Sequence, residues 1–272
     1  MTSPHATSHA QEFRRLHTEG LLLLTNAWDP GSARLMESLG SKAVATTSAG
    51  VAWAHGYADG NHLPVQLMAA TVAGITRVIR VPLTVDMEGG YSDDPAAVGE
   101  AVATVLDAGA VGINIEDGSG TPDLLCAKIE QVKRTGARLG VDVFVNARTD
   151  VYLRGLAPKG QQVQEALARG ERYRAAGADG LFVPGVVEAS EIRAIVSGTK
   201  LPVNVMARPN LPSLSELQAL GVRRLSAGSS ISEAVFGRAA SLARAFLREG
   251  AAAPLKDGAL PYPELNALMT AR

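Results

Sequence analysis

The chain has 272 residues, 46% of them hydrophobic, and 26 Lys and Arg against 27 Asp and Glu give a formal charge of -1. That size and apolar content can bury one large α/β core, and the balanced charge gives no reason to expect a nucleic-acid partner. A single cysteine, Cys126, rules out an internal disulfide and a cysteine-rich zinc site. No window approaches a continuous apolar span of membrane length, and the opening MTSPHATSHAQEF has no apolar core of a secretory leader. The expectation is a cytoplasmic protein with a small-molecule partner and no membrane contact.

Residues 1–10 are expected to be loose, followed by a helix over about 10–18. Eight apolar runs then recur, at 20–29, 42–50, 80–90, 109–118, 141–150, 178–185, 201–209 and 222–230. Segments with i, i+3, i+4 apolar spacing separate them, at 29–40, 63–79, 94–109, 123–140, 162–177, 188–198 and 213–221. Another, at 231–250, follows the last run. Asp29-Pro30, Asp94-Pro95 and the Ser213/Glu216 pair are helix-start signals. Gly-containing turns at 109–112, 177–180 and 221–224 resemble one another as helix ends running into strands. Residues 50–64 read as a polar loop holding His55, Asp59 and His62, and 118–123 as a short mobile loop. Residues 251–272 form a C-terminal extension in which PYPELNALM suits a short amphipathic helix.

Eight strand–helix units in one domain of this length predict a (β/α)8 barrel. A doubly wound sheet is the alternative, but NAWDPGS after the first run is not the glycine-rich phosphate turn such a sheet would want. In a barrel the active site lies at the C-terminal ends of the strands, and polar residues gather there. Thr47 and Ser48 end the second run, Asp86 and Glu88 the third, and Asn114 and Glu116 the fourth. Asn146, Arg148 and Asp150 end the fifth, and Asn204 ends the seventh. Residues two apart leave a strand on one face, so Asp86, Glu88 and Glu116 are expected to converge. Carboxylates so placed raise one another's pKa. A hard divalent cation relieves this: Mg²⁺, with Mn²⁺ as a substitute, takes oxygen ligands and keeps waters, so one direct carboxylate suffices. The lack of histidine in the set disfavours zinc. Arg148 is expected to grip an anionic substrate. Asp117 and Asp150 are the acids best suited to plain structural roles.

Taken together, TTSAG (46–50), GYADG (56–60), VDMEGGY (85–91), NIEDG (114–118), NARTD (146–150) and NVMARP (204–209) give the chain its character. Over about residues 15–250 it resembles the isocitrate lyase/phosphoenolpyruvate mutase superfamily. The resemblance implies a barrel whose eighth helix is swapped between subunits, in a homotetramer built as a dimer of dimers. It implies Mg²⁺ near Asp86, Glu88 and Glu116, with Asp86 the direct ligand. Ser48 with Ala49 and Gly50, next to Thr47, would seat the substrate carboxylate. Asp59 would contact the metal–substrate assembly near the reacting bond, and Arg148 and Asn204 would complete the substrate contacts. The implied chemistry is cleavage or formation of a bond beside a 2-oxo carboxylate through a pyruvate-type enolate. The lyases' Lys-Lys/Arg-Cys-Gly-His lid motif is missing, and Gly118 follows Asp117 where a lysine is usual. The expected activity is therefore Mg²⁺-dependent C–C cleavage of a small 2-oxo or 2-hydroxy dicarboxylate, such as oxaloacetate or an alkylmalate. P–C chemistry, as in a phosphoenolpyruvate mutase or phosphonopyruvate hydrolase, and a non-catalytic binding protein on the same fold are the alternatives.

Overall fold

The computed structural model describes residues 4–270, so the first three residues of the segment expected to be loose and the last two of the extension lie outside the described residues. Eight strands alternate with helices: β1 (Leu22–Ala27), β2 (Val44–Thr46), β3 (Leu83–Asp86), β4 (Gly112–Glu116), β5 (Phe144–Arg148), β6 (Gly180–Phe182), β7 (Val203–Met206) and β8 (Arg224–Ser226). Each pairs in parallel with its sequence neighbour, and β8 returns to β1 through Leu22↔Arg224 and Leu24↔Ser226. The sheet is thus a closed barrel, which excludes the open doubly wound alternative.

The helices are α1 (Pro4–Leu16), α2 (Pro30–Ser38), α3 (Ser48–Ala54), α4 (Val65–Val78), α5 (Pro95–Asp107), α6 (Pro122–Leu139), α7 (Gln162–Ala175), α8 (Ala189–Gly198), α9 (Leu214–Ala219), α10 (Ser230–Glu249) and α11 (Tyr262–Thr270). Their starts follow local chemistry. The Asp29 carboxylate caps α2 through the Ser32 amide, Asp94 caps α5, Thr121 caps α6, and Ser213 with Glu216 forms a capping box on α9. The repeated glycines Gly109, Gly177 and Gly221 have φ of +105°, +107° and +85°, the left-handed turn that sends a helix back into a strand.

Two differences from the sequence reading stand out. Helix α1 begins at Pro4 rather than near residue 10, and the supposed loop after β2 opens with α3, whose first five residues are buried. The α1 helix earns its length by plugging the N-terminal end of the barrel. Phe13 meets Phe144 edge-on at 5.5 Å, His17 stacks on Phe144 at 4.1 Å, and Arg14 pairs with Asp142 and Asp179. Leu22, Ala43 and Val111 complete this apolar floor. The larger core lies between the barrel and its helical ring, with Val85, Ile113, Ile115, Val145 and Leu181 fully buried.

Helix α10 stands apart: Ser232 is its only residue buried in this single chain, and Val235, Phe236, Phe246 and Leu247 are exposed. Helix α11 returns to α2, where Arg34 Nε donates to the Leu268 carbonyl at 3.2 Å. No helix among the described residues is long and apolar enough to cross a membrane.

Candidate active site

With the floor sealed, the open end of the barrel is the one where the strands finish. Strand register sets which side chains meet there. Asp86 lies opposite Asn114, Asn114 opposite Asn146, and Glu116 opposite Arg148, so these residues share the inner face. Asn146 Nδ2 donates to Asn114 Oδ1 at 2.9 Å and to Asn204 Oδ1 at 3.0 Å. Asn204 Nδ2 in turn donates to the carbonyls of Val205 and Arg224. Asn204, expected among the substrate contacts, is therefore committed to a buried belt across the barrel. Arg224 joins that belt: it is 1% exposed and donates to Asn114 Oδ1 at 3.0 Å. The alternation of Arg224 and Ser226 on β8 turns both inward.

Above the belt stand the acids. Asp86 accepts from the Ser48 amide at 3.3 Å, while its own amide donates to Thr46 Oγ1 at 2.8 Å. Burial, with the Asp59 carboxylate adding to it, raises the Asp86 pKa against the pull of Arg148. Glu116 is shifted further, to about 8, by burial and by the charges of Asp86, Asp150 and Glu88, although Arg148 opposes the shift. Arg148 Nη1 holds Glu116 at 2.7 Å. Its Nε and Nη2 reach Asp150 at 2.7 and 3.2 Å, and its guanidinium lies 5.9 Å from the centre of the Phe182 ring.

Glu88 departs from the expected convergence. Strand β3 ends at Asp86, and Glu88 sits beyond it with φ of +51°. Its carboxylate accepts from the amides of Gly60, at 2.9 Å, and Asn61. Glu88 thus anchors the exposed loop that carries Asp59, whose charge acts on both Asp86 and Glu88. Burial is the first cause of the raised Glu88 pKa. Among the described residues, no three His, Cys, Asp or Glu side chains form a group that could hold an ion by themselves. The expectation of three converging acids is corrected accordingly: Glu88 is turned to a loop and Glu116 to an arginine. The remaining chemistry still fits Mg²⁺. A half-buried carboxylate at Asp86 and two more within electrostatic reach all favour protonation, the conflict a cation with one direct carboxylate and several waters removes.

Thr47, Ser48, Ala49 and Gly50 are all buried beside Asp86. Gly50 is there for packing: a Cβ would stand 2.7 Å from Thr47 Cγ2, 3.0 Å from Trp28 Cβ and 3.1 Å from Ser232 Oγ. Asp117 is structural, as expected. It accepts from Thr149 Oγ1, the Asp150 amide, Arg169 and the Tyr173 hydroxyl at 2.6–2.9 Å, locking the turn after β5. Asp150 is buried and braces Arg148. Cys126 is half-buried on α6 and packs against the core.

The family model described as phosphoenolpyruvate phosphomutase matches residues 13–247. An uncharacterized protein of Mycobacterium tuberculosis (strain H37Rv), Rv1998c, is 38% identical over 261 residues, covering 94% of this chain and 95% of its own. An oxaloacetate decarboxylase of Paraburkholderia xenovorans is 31% identical over 230 residues, covering 79% and 73%. A crystal structure described as a "putative phosphonomutase" from Burkholderia cenocepacia J2315 is 40% identical, covers 87% of this chain and 99% of its own, and superimposes with a TM-score of 0.82.

Proposed function

The chain belongs to the phosphoenolpyruvate mutase/isocitrate lyase superfamily, and on that premise we propose that it is a divalent-metal-dependent enzyme that cleaves the bond beside a 2-oxo carboxylate. The carrying observation is the meeting at one barrel mouth of a half-buried carboxylate, Asp86, with a half-buried guanidinium, Arg148, whose charge acts on it. Mg²⁺, held directly by Asp86 and through water by Glu88 and Glu116, would supply positive charge to the 2-oxo group as enolate character develops. Ser48 with the backbone at Ala49 and Gly50 would receive the substrate carboxylate. Arg148, braced by Asp150, presents a guanidinium already oriented for a planar anion. Asp59, held in place through the grip of Glu88 on Gly60 and Asn61, faces the substrate near the reacting bond.

C–C cleavage of an oxaloacetate-like acid draws support from the connection between β4 and α6. It runs only from Asp117 to Thr121, as Asp-Gly-Ser-Gly-Thr, and carries no Cys, Lys or His to act as a general acid. Release of neutral CO₂ from a 2-oxo diacid calls for no such donor at the bond-breaking step, whereas a lyase that must protonate or deprotonate its leaving group does. P–C chemistry is the second reading. The matched family model is described as a phosphoenolpyruvate phosphomutase and the 40% identical structure as a phosphonomutase, and on the comparisons P–C chemistry is the better supported of the two.

The test is turnover of oxaloacetate, alkylmalates, methylisocitrate and phosphonopyruvate with Mg²⁺, followed by pyruvate release and phosphorus NMR. Metal-dependent loss of oxaloacetate supports the first reading, and loss of the phosphonopyruvate signal supports the second. Failure of all four substrates, together with no binding of Mg²⁺ and oxalate in calorimetry, would leave a non-catalytic protein. The exposed apolar residues of α10 support a subunit-swapped eighth helix and a dimer of dimers, and light scattering of the purified chain tests that assembly.

A further inference from the structure

The largest fully buried side chain among the described residues is a cation, Arg224. It enters the barrel interior from β8, between the aromatic floor and the acids. Its guanidinium lies 6.0 Å from the centre of the Phe13 ring. Nη2 donates to Asn114 Oδ1 at 3.0 Å, while Nε and Nη1 have no partner among the described residues. Asp86 is the carboxylate whose charge acts on it, but no ion pair joins the two. Burial pulls the Arg224 pKa down to about 9. A buried cation with no paired carboxylate weakens a fold more than it supports one, so its place beneath the acids calls for another reason.

Asn114 supplies that reason. Its Oδ1 accepts from Arg224 Nη2 and, at 2.9 Å, from Asn146 Nδ2. Turning the amide over would set its NH₂ against two donors, so it has one orientation. The two donors arrive from β8 and β5. Nδ2 is left on the remaining side, that of β3, where Asp86 is the register partner of Asn114. Nδ2 donates to no group among the described residues. Asn114 is 6% exposed against 1% for Asn146 and Asn204, so it is the belt amide that a molecule in the mouth can reach. Two hydrogen bonds into an amide oxygen, one of them from a cation, draw electrons from the amide and make its N–H groups stronger donors.

We propose that Asn114 is a catalytic residue whose Nδ2 donates a hydrogen bond to the oxygen that gains negative charge at the barrel mouth, and that Arg224 is the positioning residue that orients and polarises it from below. This assignment rests on the enolate reading above and adds to it two residues with no part in holding the metal or the substrate carboxylate. No proton changes hands. As the 2-oxo group takes on enolate character, the hydrogen bond from Nδ2 strengthens, and the amide needs no reorganisation because the belt already fixes it. The unpaired charge of Arg224 favours the same build-up of negative charge.

The test is steady-state kinetics on whichever of oxaloacetate and phosphonopyruvate the protein turns over, with urea unfolding of each variant and calorimetry of oxalate in Mg²⁺. Oxalate has the planar shape of a pyruvate enolate. Asn114→Val removes the donor and is expected to lower kcat about a hundredfold or more, the scale of one lost oxyanion donor, with little change in KM. Arg224→Met removes the charge and is expected to lower kcat about tenfold, while the urea midpoint holds or rises because an apolar chain replaces an unpaired buried cation. The double variant should match Asn114→Val alone instead of multiplying the two losses. Where Asn114→Val fails to fold, the double variant, in which neither group is stranded, carries the same test. Oxalate affinity should fall in the same order. Wild-type kcat in Arg224→Met, or losses that multiply, would overturn the role of Arg224. Wild-type kcat and oxalate affinity without the Asn114 amide, whatever the change in urea midpoint, would overturn the whole assignment, and an inactive Asp86→Ala would still uphold the enolate reading. Wild-type protein that turns over neither substrate and binds no oxalate would overturn both.

Discussion

The floor and the mouth of this barrel are made by the same eight strands, yet they treat burial in opposite ways. At the floor, Phe13, His17 and Phe144 pack ring against ring, and the buried groups are mostly those water would reject. At the mouth, Asp86, Glu88 and Glu116 are withdrawn from water at a cost that raises all three pKa values. Between them runs the belt of Asn114, Asn146, Asn204 and Arg224. The contrast teaches where stability is made and where it is surrendered: the floor holds the barrel shut, and the mouth keeps groups that only a cation and an anionic ligand would satisfy.

The contrast can be broken from either side. The largest effect expected is at the mouth, where Asp86→Ala should lower metal-dependent turnover by about a thousandfold or more, since a metal's charge stabilisation amounts to several kcal/mol. Its circular dichroism spectrum and melting temperature should stay close to wild type. Full turnover in that variant would remove Asp86 from the chemistry. At the floor, Phe13→Ala should do the reverse, costing about 3–5 kcal/mol in urea unfolding while the folded protein keeps its affinity for Mg²⁺ and oxalate. Asp117→Ala probes the support beneath the mouth. It leaves the Tyr173 hydroxyl and the Asp150 amide without their acceptor and Arg169, 11% exposed, with Glu165 as its remaining carboxylate, and should cost about 3 kcal/mol by the same measurement.

The smallest effects are in pH dependence, and their signs differ between the two ends. Glu116 has a folded pKa of about 8, above its usual 4.5. Its contribution to stability is present below pH 4.5 and lost as pH rises through 8. His17 has a folded pKa of about 3, below its usual 6.5, because burial and then the charge of Arg224 disfavour its cation. Its contribution is present above pH 6.5 and lost as pH falls toward 3. Metal-free protein should therefore lose melting temperature through the mouth as pH rises from 4.5 to about 8, and through the floor as pH falls from 6.5 toward 3. Mg²⁺ should restore more at pH 8 than at pH 6, because the carboxylates it needs are then ionised. His17→Phe should flatten the acid limb alone. Differential scanning fluorimetry across pH, with and without Mg²⁺, reads all three.

Much of the mouth was legible because a strand alternates its side chains. Asp86, Asn114, Glu116, Asn146 and Arg148 all lie within strands, and each faces inward as the period of two requires. Glu88 and Asp150 lie past the last strand residue, where that period no longer holds. Glu88 accordingly turns to the loop at 60–61, and Asp150 becomes a buried brace between two arginines. Helix α3 was hidden because its seven residues are too few to show a periodic face and it starts with no side-chain cap. Helix α1 extends beyond its own apolar spacing because it forms against the floor it plugs, part of which, Phe144, lies more than a hundred residues away.

What the chain's order of residues determined alone is the repeat: eight apolar strands, capped helices and glycine turns, each a local preference written in a dozen residues. That repeat determined the closed barrel and, through strand alternation, which acids and which arginine reach its mouth. Tertiary structure alone decided how those groups are partnered. The pairing of Arg148 with Glu116, the sharing of Asp150 by Arg148 and Arg154, and the sealing of Arg224 beneath Asn114 depend on distances across the barrel. Electrostatic and hydrogen-bond energies are set by those distances and by the exclusion of water, which no local pattern of residues records.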